Sequence, residues 1–194
     1  MTIWFATGNL HKKTELQAIL SDHTIKIPID AGITDFDPEE NGNSFFENSF
    51  IKAKVLYDLV KEPVIADDSG LCVNILEGRP GIYSARYGGN ITTQERNTLL
   101  LKELENYSQR DAYFVCAMVL MFNEKRFFLI QEALEGEIIF EERGKKGFGY
   151  DPIFYVPEFK RTLAELSEEE KNRISHRGKA GRLIQKILSE TTKW

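Results

Sequence analysis

The chain has 194 residues, 42% of them hydrophobic and 28% charged, with a formal net charge of −5 at pH 7. That is enough for one domain, or two small lobes, with a real core, in a globular compositional range. The acidic balance excludes a broad nucleic-acid-binding face, although it allows a locally basic pocket for a polyanion. Cys72 and Cys116 lie far apart in apolar runs and read as buried thiols, and no Cys/His metal spacing occurs. The longest apolar run, Ala112 to Phe122, is too short to span a bilayer. The N-terminus has no basic segment, long apolar stretch or cleavage site, so a cytoplasmic location without a membrane partner is expected.

The first expected element is a buried strand over 2–7, followed by Thr7-Gly8-Asn9-Leu10-His11-Lys12 and a helix over 10–21 with Leu16, Ile19 and Leu20 on one face. A strand, a Gly turn and a helix N-terminus can form an anion site, with Lys12 placed against the helix dipole. An ordinary βα turn is the plainer alternative. A strand over 24–29 and an acidic loop from Asp30 to Asn43 follow, with Glu40 in the loop. Ser44-Phe45-Phe46-Glu47 reads as a capping box for a helix with Phe46, Phe50 and Ala53 at helical spacing. Glu40 or Glu47 could add an oxygen to a metal site, and Lys52 could simply lie on a solvated helix face.

Pro63 restarts the chain as a strand, Val64-Ile65-Ala66, which ends at Asp67-Asp68-Ser69-Gly70, and a second run covers Leu71 to Leu76. Adjacent strand residues point to opposite faces, so one carboxylate can reach a Mg²⁺–phosphate site while the other is structural; a solvated turn is the alternative. Thr92-Thr93-Gln94-Glu95 offers a second capping box, for a helix to about Asn106. Strands over Ala112–Phe122 and Arg126–Leu134 form a hairpin at Asn123-Glu124-Lys125, and a third strand covers Glu137–Phe140. Gly147-Phe148-Gly149-Tyr150 is a candidate stacking platform for a base, and Asp151 to Val156 reads as extended. Helices over Leu163–Lys171 and from Ser175 to about Leu188 end the chain, with Ser175 as N-cap and His176 and Arg177 in the first turn. Early crossovers and a later meander predict an α/β fold with a long mixed central sheet, flanking helices and a second, smaller lobe.

Six ordered motifs carry a resemblance: Thr7-Gly8-Asn9-x-x-Lys12, Phe45-x-Glu47-Asn48, Ala66 to Leu71, Pro80 to Tyr87, Gly147 to Phe154 and Ile174 to Ala180. On these the chain resembles the Ham1/RdgB-type inosine triphosphate pyrophosphatases, with no departure at the motif positions. The resemblance implies a single ITPase-like domain over 1–194, with two lobes around a nucleotide cleft. It also implies Mg²⁺-dependent hydrolysis of ITP, dITP or XTP to the monophosphate and pyrophosphate, and a homodimer. A Maf-type pyrophosphatase of modified pyrimidine nucleotides and a non-catalytic nucleotide-binding regulator are the alternatives.

Carried over by position, Thr7, Gly8, Asn9, Leu10, His11 and Lys12 would line the triphosphate site, the turn amides donating hydrogen bonds, with Lys52 facing the phosphates. Asp68 would be metal ligand and proton acceptor, Asp67 and Glu40 further metal candidates, and Ser69 a substrate contact. Phe148, Gly149, Tyr150 and Asp151 would form the base pocket, completed by Lys171, His176 and Arg177.

Overall fold

Period-two alternation along the strands decides what packs on what. The computed structural model describes residues 1–191. Its strands are β1 (Thr2–Phe5), β2 (Thr24–Lys26), β3 (Val64–Val73), β4 (Asp111–Asn123), β5 (Arg126–Ile138), β6 (Phe154–Val156) and β7 (Arg161–Thr162). The helices are α1 (Leu10–Ile19), α2 (Phe45–Val60), α3 (Thr93–Glu103), α4 (Glu168–Ile174) and α5 (His176–Thr191). The strands hydrogen-bond in the order β2-β1-β3-β4-β5-β6-β7. β1 runs parallel to β2 and β3, and β6 antiparallel to β5 and β7, so the sheet is mixed and the α/β expectation holds. Among the described residues no helix is long and apolar enough to cross a membrane.

The chain divides into two compact units, one of Met1–Asp68, Cys116–Glu132 and the segment from Ser175, the other of Ser69–Val115 and Ala133–Ile174. In the first, Ile3, Phe5, Ile65, Cys116, Met118 and Leu120 pack with Leu16 and Leu20 of the α1 region and Ala180, Ile184 and Leu188 of α5. The alternate residues Trp4, Ala6, Val64, Ala66, Val119 and Met121 pack with Ala53 and Leu56 of α2. Odd and even positions of β1 and β3 therefore serve different helices, as the pleat requires. β3 is buried at all but one of its ten positions, polar residues included, because it is covered on both sides. In the second unit, Leu71, Val73, Leu100, Leu104, Phe114, Phe154 and Leu163 belong to one separate core.

Several expected boundaries change. Asp67-Asp68-Ser69-Gly70 is no turn: β3 runs through it to Val73. The ladder continues because all four residues are tied into the sheet, and the two carboxylates find buried cations. The separate strand expected over Glu137–Phe140 is the end of β5. The expected extended stretch from Asp151 is strand only at Phe154–Val156; before it the amide of Asp151 bonds the Phe148 carbonyl and that of Ile153 the Tyr150 carbonyl, as successive turns. The helix expected over Leu163–Lys171 splits into a 3₁₀ turn, Leu163–Glu165, and α4. The Thr92/Glu95 capping box forms as expected. At α2 Ser44 caps the Glu47 amide, while the Glu47 carboxylate accepts from the Asn43 amide, one residue before the N-cap.

Candidate functional site

In the first unit, the alternation of β3 sends Asp67 and Asp68 to different helices. Asp67 faces α1 and α5: Lys12 Nζ lies 3.0 Å from its Oδ1, and Arg177 Nε and Nη2 lie 3.0 and 2.9 Å from its Oδ2. Arg177 Nη1 reaches Glu15 Oε2 at 2.7 Å. Lys12 and Glu15 stand three residues apart on α1 and share a face. Two cations thus meet two carboxylates, nearly all of it shut from water. Burial by itself would raise the Asp67 pKa, but Lys12, Arg177 and Lys52 together outweigh it and hold the carboxyl well below its usual range. The Cys116 thiol, 3.9 Å from Asp67 Oδ2, is pushed up to about 12 by burial and by that negative charge. It is an inert buried thiol, as expected.

Asp68 faces α2. Asn48 and Lys52, four residues apart, lie one above the other on that helix, with Asn48 Nδ2 3.2 Å from Asp68 Oδ2 and Lys52 Nζ 3.3 Å from Oδ1. Lys52 Nζ also meets Glu40 Oε1 at 2.6 Å, so one ammonium sits between two carboxylates. Ser49 Oγ donates to the Ala66 carbonyl at 3.0 Å and fixes α2 against β3. Burial raises the Asp68 pKa and the charge of Glu40 adds to that rise, against the pull of Lys52. Lys52 itself is raised, because Asp68, Asp67 and Glu40 outweigh its burial. A solvated helix face is thus the wrong picture for Lys52, which is 9% exposed.

The contacts sort the metal candidates. Both oxygens of Asp67 meet cations, Oδ1 the Lys12 ammonium and Oδ2 the Arg177 guanidinium. Asp68 and Glu40 are hard oxygen donors gathered on a cation, the donor set that Mg²⁺ takes when substrate oxygens and water complete its shell. Among the described residues no cluster of three or more His, Cys, Asp or Glu is present. The turn before α1 is braced from within. Asn9 Oδ1 accepts from the amides of His11 and Lys12, and Thr7 Oγ1 from that of Asn9, so three of the turn amides are already capped. Gly8 is exposed, lies outside the left-handed region, and a Cβ there would meet nothing within 4 Å. The fold therefore gives no reason for glycine at that position, and the smooth backbone leaves room for a ligand to approach.

The second unit holds the loop rich in glycine and aromatics. Lys171 Nζ lies 2.7 Å from Asp151 Oδ2 and 4.5 Å from the centroid of the Phe148 ring. The Phe148 amide donates to the same Asp151 oxygen at 2.8 Å. Gly147 has φ +74, and a Cβ there would sit 2.1 Å from Asp151 Oδ2, so only glycine allows the carboxylate this position. Tyr150 is buried and donates to the Ser84 carbonyl at 3.0 Å. It is therefore an anchor and not an exposed stacking platform, whereas Phe148 is half-buried. Asp151 orients Phe148 and Lys171. Ser69 stands half-buried in β3.

Two of the residues expected to complete the base pocket, His176 and Arg177, belong to the first unit, both buried at the start of α5, which Ser175 caps through the Gly178 amide. The Arg177 guanidinium is held by Asp67 and Glu15. Sequence reasoning missed Asn48 and Glu15. The i,i+4 spacing of Asn48 to Lys52 and the i,i+3 spacing of Lys12 to Glu15 were the available signals.

The Ham1 family model matches residues 3–187. The chain is 52% identical to the dITP/XTP pyrophosphatase of Treponema denticola over 184 residues, 93% of this chain and 94% of that protein. Among solved structures it is similar to a HAM1 protein from Coxiella burnetii, with TM-score 0.90, 42% identity and coverage of 98% of this chain and 99% of that one. The Ham1 protein of Staphylococcus aureus matches with TM-score 0.88 and 40% identity, over 98% of this chain and all (100%) of that one.

Proposed function

The chain belongs to the Ham1 family, and on that premise we propose that it is a nucleoside triphosphate pyrophosphatase of non-standard purine nucleotides, hydrolysing dITP, XTP and ITP to the monophosphate and pyrophosphate. The observation that carries the reading is the trio of buried Asp68 and Lys52 with half-buried Glu40, where two carboxylates face one ammonium. Asp68, with its pKa raised by burial, is the proton acceptor for the attacking water. Asn48 holds its other oxygen and orients the carboxylate. Lys12 and Lys52 offset phosphate charge, and Gly8 allows the phosphates close to the backbone. Asp68 and Glu40 would hold Mg²⁺, which when bound supplies charge neutralisation and polarises phosphate oxygens.

For the base end, Phe148 offers its ring for stacking, with Lys171 fixed against it. Lys171, held beside Phe148 by Asp151, is a donor for a purine 6-oxo group. Adenine presents its own donor there, which would leave buried partners unmatched and so be rejected. A homodimer in the cytoplasm completes the proposal, with Tyr83, 56% exposed, available on the 3₁₀ segment Gly81–Arg86.

Hydrolysis of ITP in ¹⁸O-enriched water tests where the water attacks. Attack at the α-phosphorus places the label in the monophosphate and leaves pyrophosphate unlabelled. Label in orthophosphate, with the diphosphate as the other product, would overturn the reading.

A further inference from the structure

Asn97 is 1% exposed and lies in mid-helix on α3, on the face that buries Leu100 and Leu104 in the core of the second unit. Asparagine is a poor choice there: it is a weak helix former, and burying an amide is unfavourable unless its hydrogen bonds are remade. Its Nδ2 donates to Glu142 Oε1 at 2.8 Å and to the Gly149 carbonyl at 3.3 Å. Both partners are acceptors, so the orientation of the amide is fixed. Its Oδ1, fully buried, has no hydrogen-bond partner among the described residues. The side chain therefore does not serve its own satisfaction. Its donors are spent on two points of one loop, Glu142 near its start and Gly149 near its end.

That loop carries Phe148. Gly149 has φ +62, and a Cβ there would meet nothing within 4 Å, so neither regular structure nor packing sets the direction of its peptide. On the other side of it, Tyr150 is anchored to Ser84, and on the near side the Phe148 amide is anchored to Asp151. The Gly149 carbonyl is the remaining hinge, and Asn97 holds it.

We propose that Asn97 is a positioning residue for base recognition: by clasping Glu142 to Gly149 it holds the loop in the form that presents Phe148. This rests on the nucleotide reading given above, with Phe148 as the stacking platform. Asn97 itself need not touch the substrate.

The test uses the full chain with Mg²⁺ and ITP, in three variants. Asn97→Asp turns two donors into acceptors that face a carboxylate and a carbonyl. The double variant Asn97→Asp with Glu142→Gln supplies an amide that donates back, and Asn97→Leu removes the polar group while keeping bulk. Asn97→Asp is expected to raise KM for ITP tenfold or more with kcat reduced less than threefold. The double variant should return KM to within about threefold of wild type. Amide hydrogen exchange over 142–149 should quicken in Asn97→Asp and Asn97→Leu, and this readout does not depend on turnover.

Unchanged exchange in the loop, or unchanged KM in a folded Asn97→Asp chain, would overturn the proposal. So would parallel losses of kcat, kcat/KM and melting temperature that Glu142→Gln does not rescue, since those belong to a general packing role. If wild type itself failed to hydrolyse ITP, the nucleotide reading would fail and recognition of the base by this loop with it; the exchange data would still decide whether the clasp exists.

Discussion

Asp68→Asn is expected to lower kcat for ITP by a factor of about 10²–10⁴, the usual contribution of a positioned general base, with KM changed by much less. The amide keeps the shape of the carboxylate but cannot accept the proton of the attacking water. Substrate binding should survive, because Lys12, Lys52 and the Phe148 loop are untouched. The fold should survive as well. The substitution removes one of the two carboxylates on Lys52, and Glu40 at 2.6 Å still balances the ammonium. Steady-state kinetics beside a melting curve separate these effects. A folded variant with kcat within threefold of wild type would remove Asp68 from the chemistry.

Arg177→Ala is expected to act on stability first, by about 3–5 kcal/mol, the loss typical when one partner of a buried ion pair is removed. Three guanidinium nitrogens serve Asp67 and Glu15 at 2.7–3.0 Å, and the Arg177 and Asp67 side chains are 3% and 1% exposed. Without Arg177, Asp67 keeps Lys12 on Oδ1 while its Oδ2 and Glu15 Oε2 lose their guanidinium contacts. A loss of this size is a large share of the 5–15 kcal/mol by which domains are usually stable.

The pH dependence should change with it. The folded Asp67 carboxyl lies below its ordinary value of 3.8, so its contribution to stability is present above that pH and is lost as pH falls toward the folded value. Arg177→Ala removes one of the cations responsible and should shrink that gain. Urea unfolding at neutral pH and at about pH 2.5, below the ordinary carboxylate value, measures both. Arg177→Lys, which keeps the charge and loses the fork, should fall between, and it serves if the alanine variant does not fold. A role in base contact predicts the opposite pattern: intact stability and lost discrimination between ITP and ATP.

The alternation rule, applied to Ala66-Asp67-Asp68, was enough to foresee that neighbouring carboxylates part to opposite faces. It did not tell which face does which work, because that depends on helices distant in sequence. Asp67 is neutralised from α1 and α5, and Asp68 is reached from α2. The reading of Asp67-Asp68-Ser69-Gly70 as a turn failed for a related reason. Local propensity scores two Asp, a Ser and a Gly as turn-forming, but buried cations 16 to 110 positions away make the same residues a strand. Capping, by contrast, is a local interaction, and Thr92/Glu95 and Ser175 were legible within a few residues.

The loop around Phe148 lies between these cases. The glycines of Gly147-Phe148-Gly149 were visible as turn formers. The burial of Tyr150 and the reach of Asn97 depend on a core assembled from Leu71, Leu100 and Phe154, which no local pattern reveals. The turn before α1 was legible as a motif, and its Asn9 cap shows that the turn serves α1.

The most direct test of the account is pyrophosphate release from ITP, XTP, dITP, GTP, ATP, CTP and dUTP, each with Mg²⁺ and with EDTA. The account predicts fast release from ITP, XTP and dITP, little from GTP and ATP, and none with EDTA. Preference for CTP or dUTP, or release from no nucleotide at all, would contradict it.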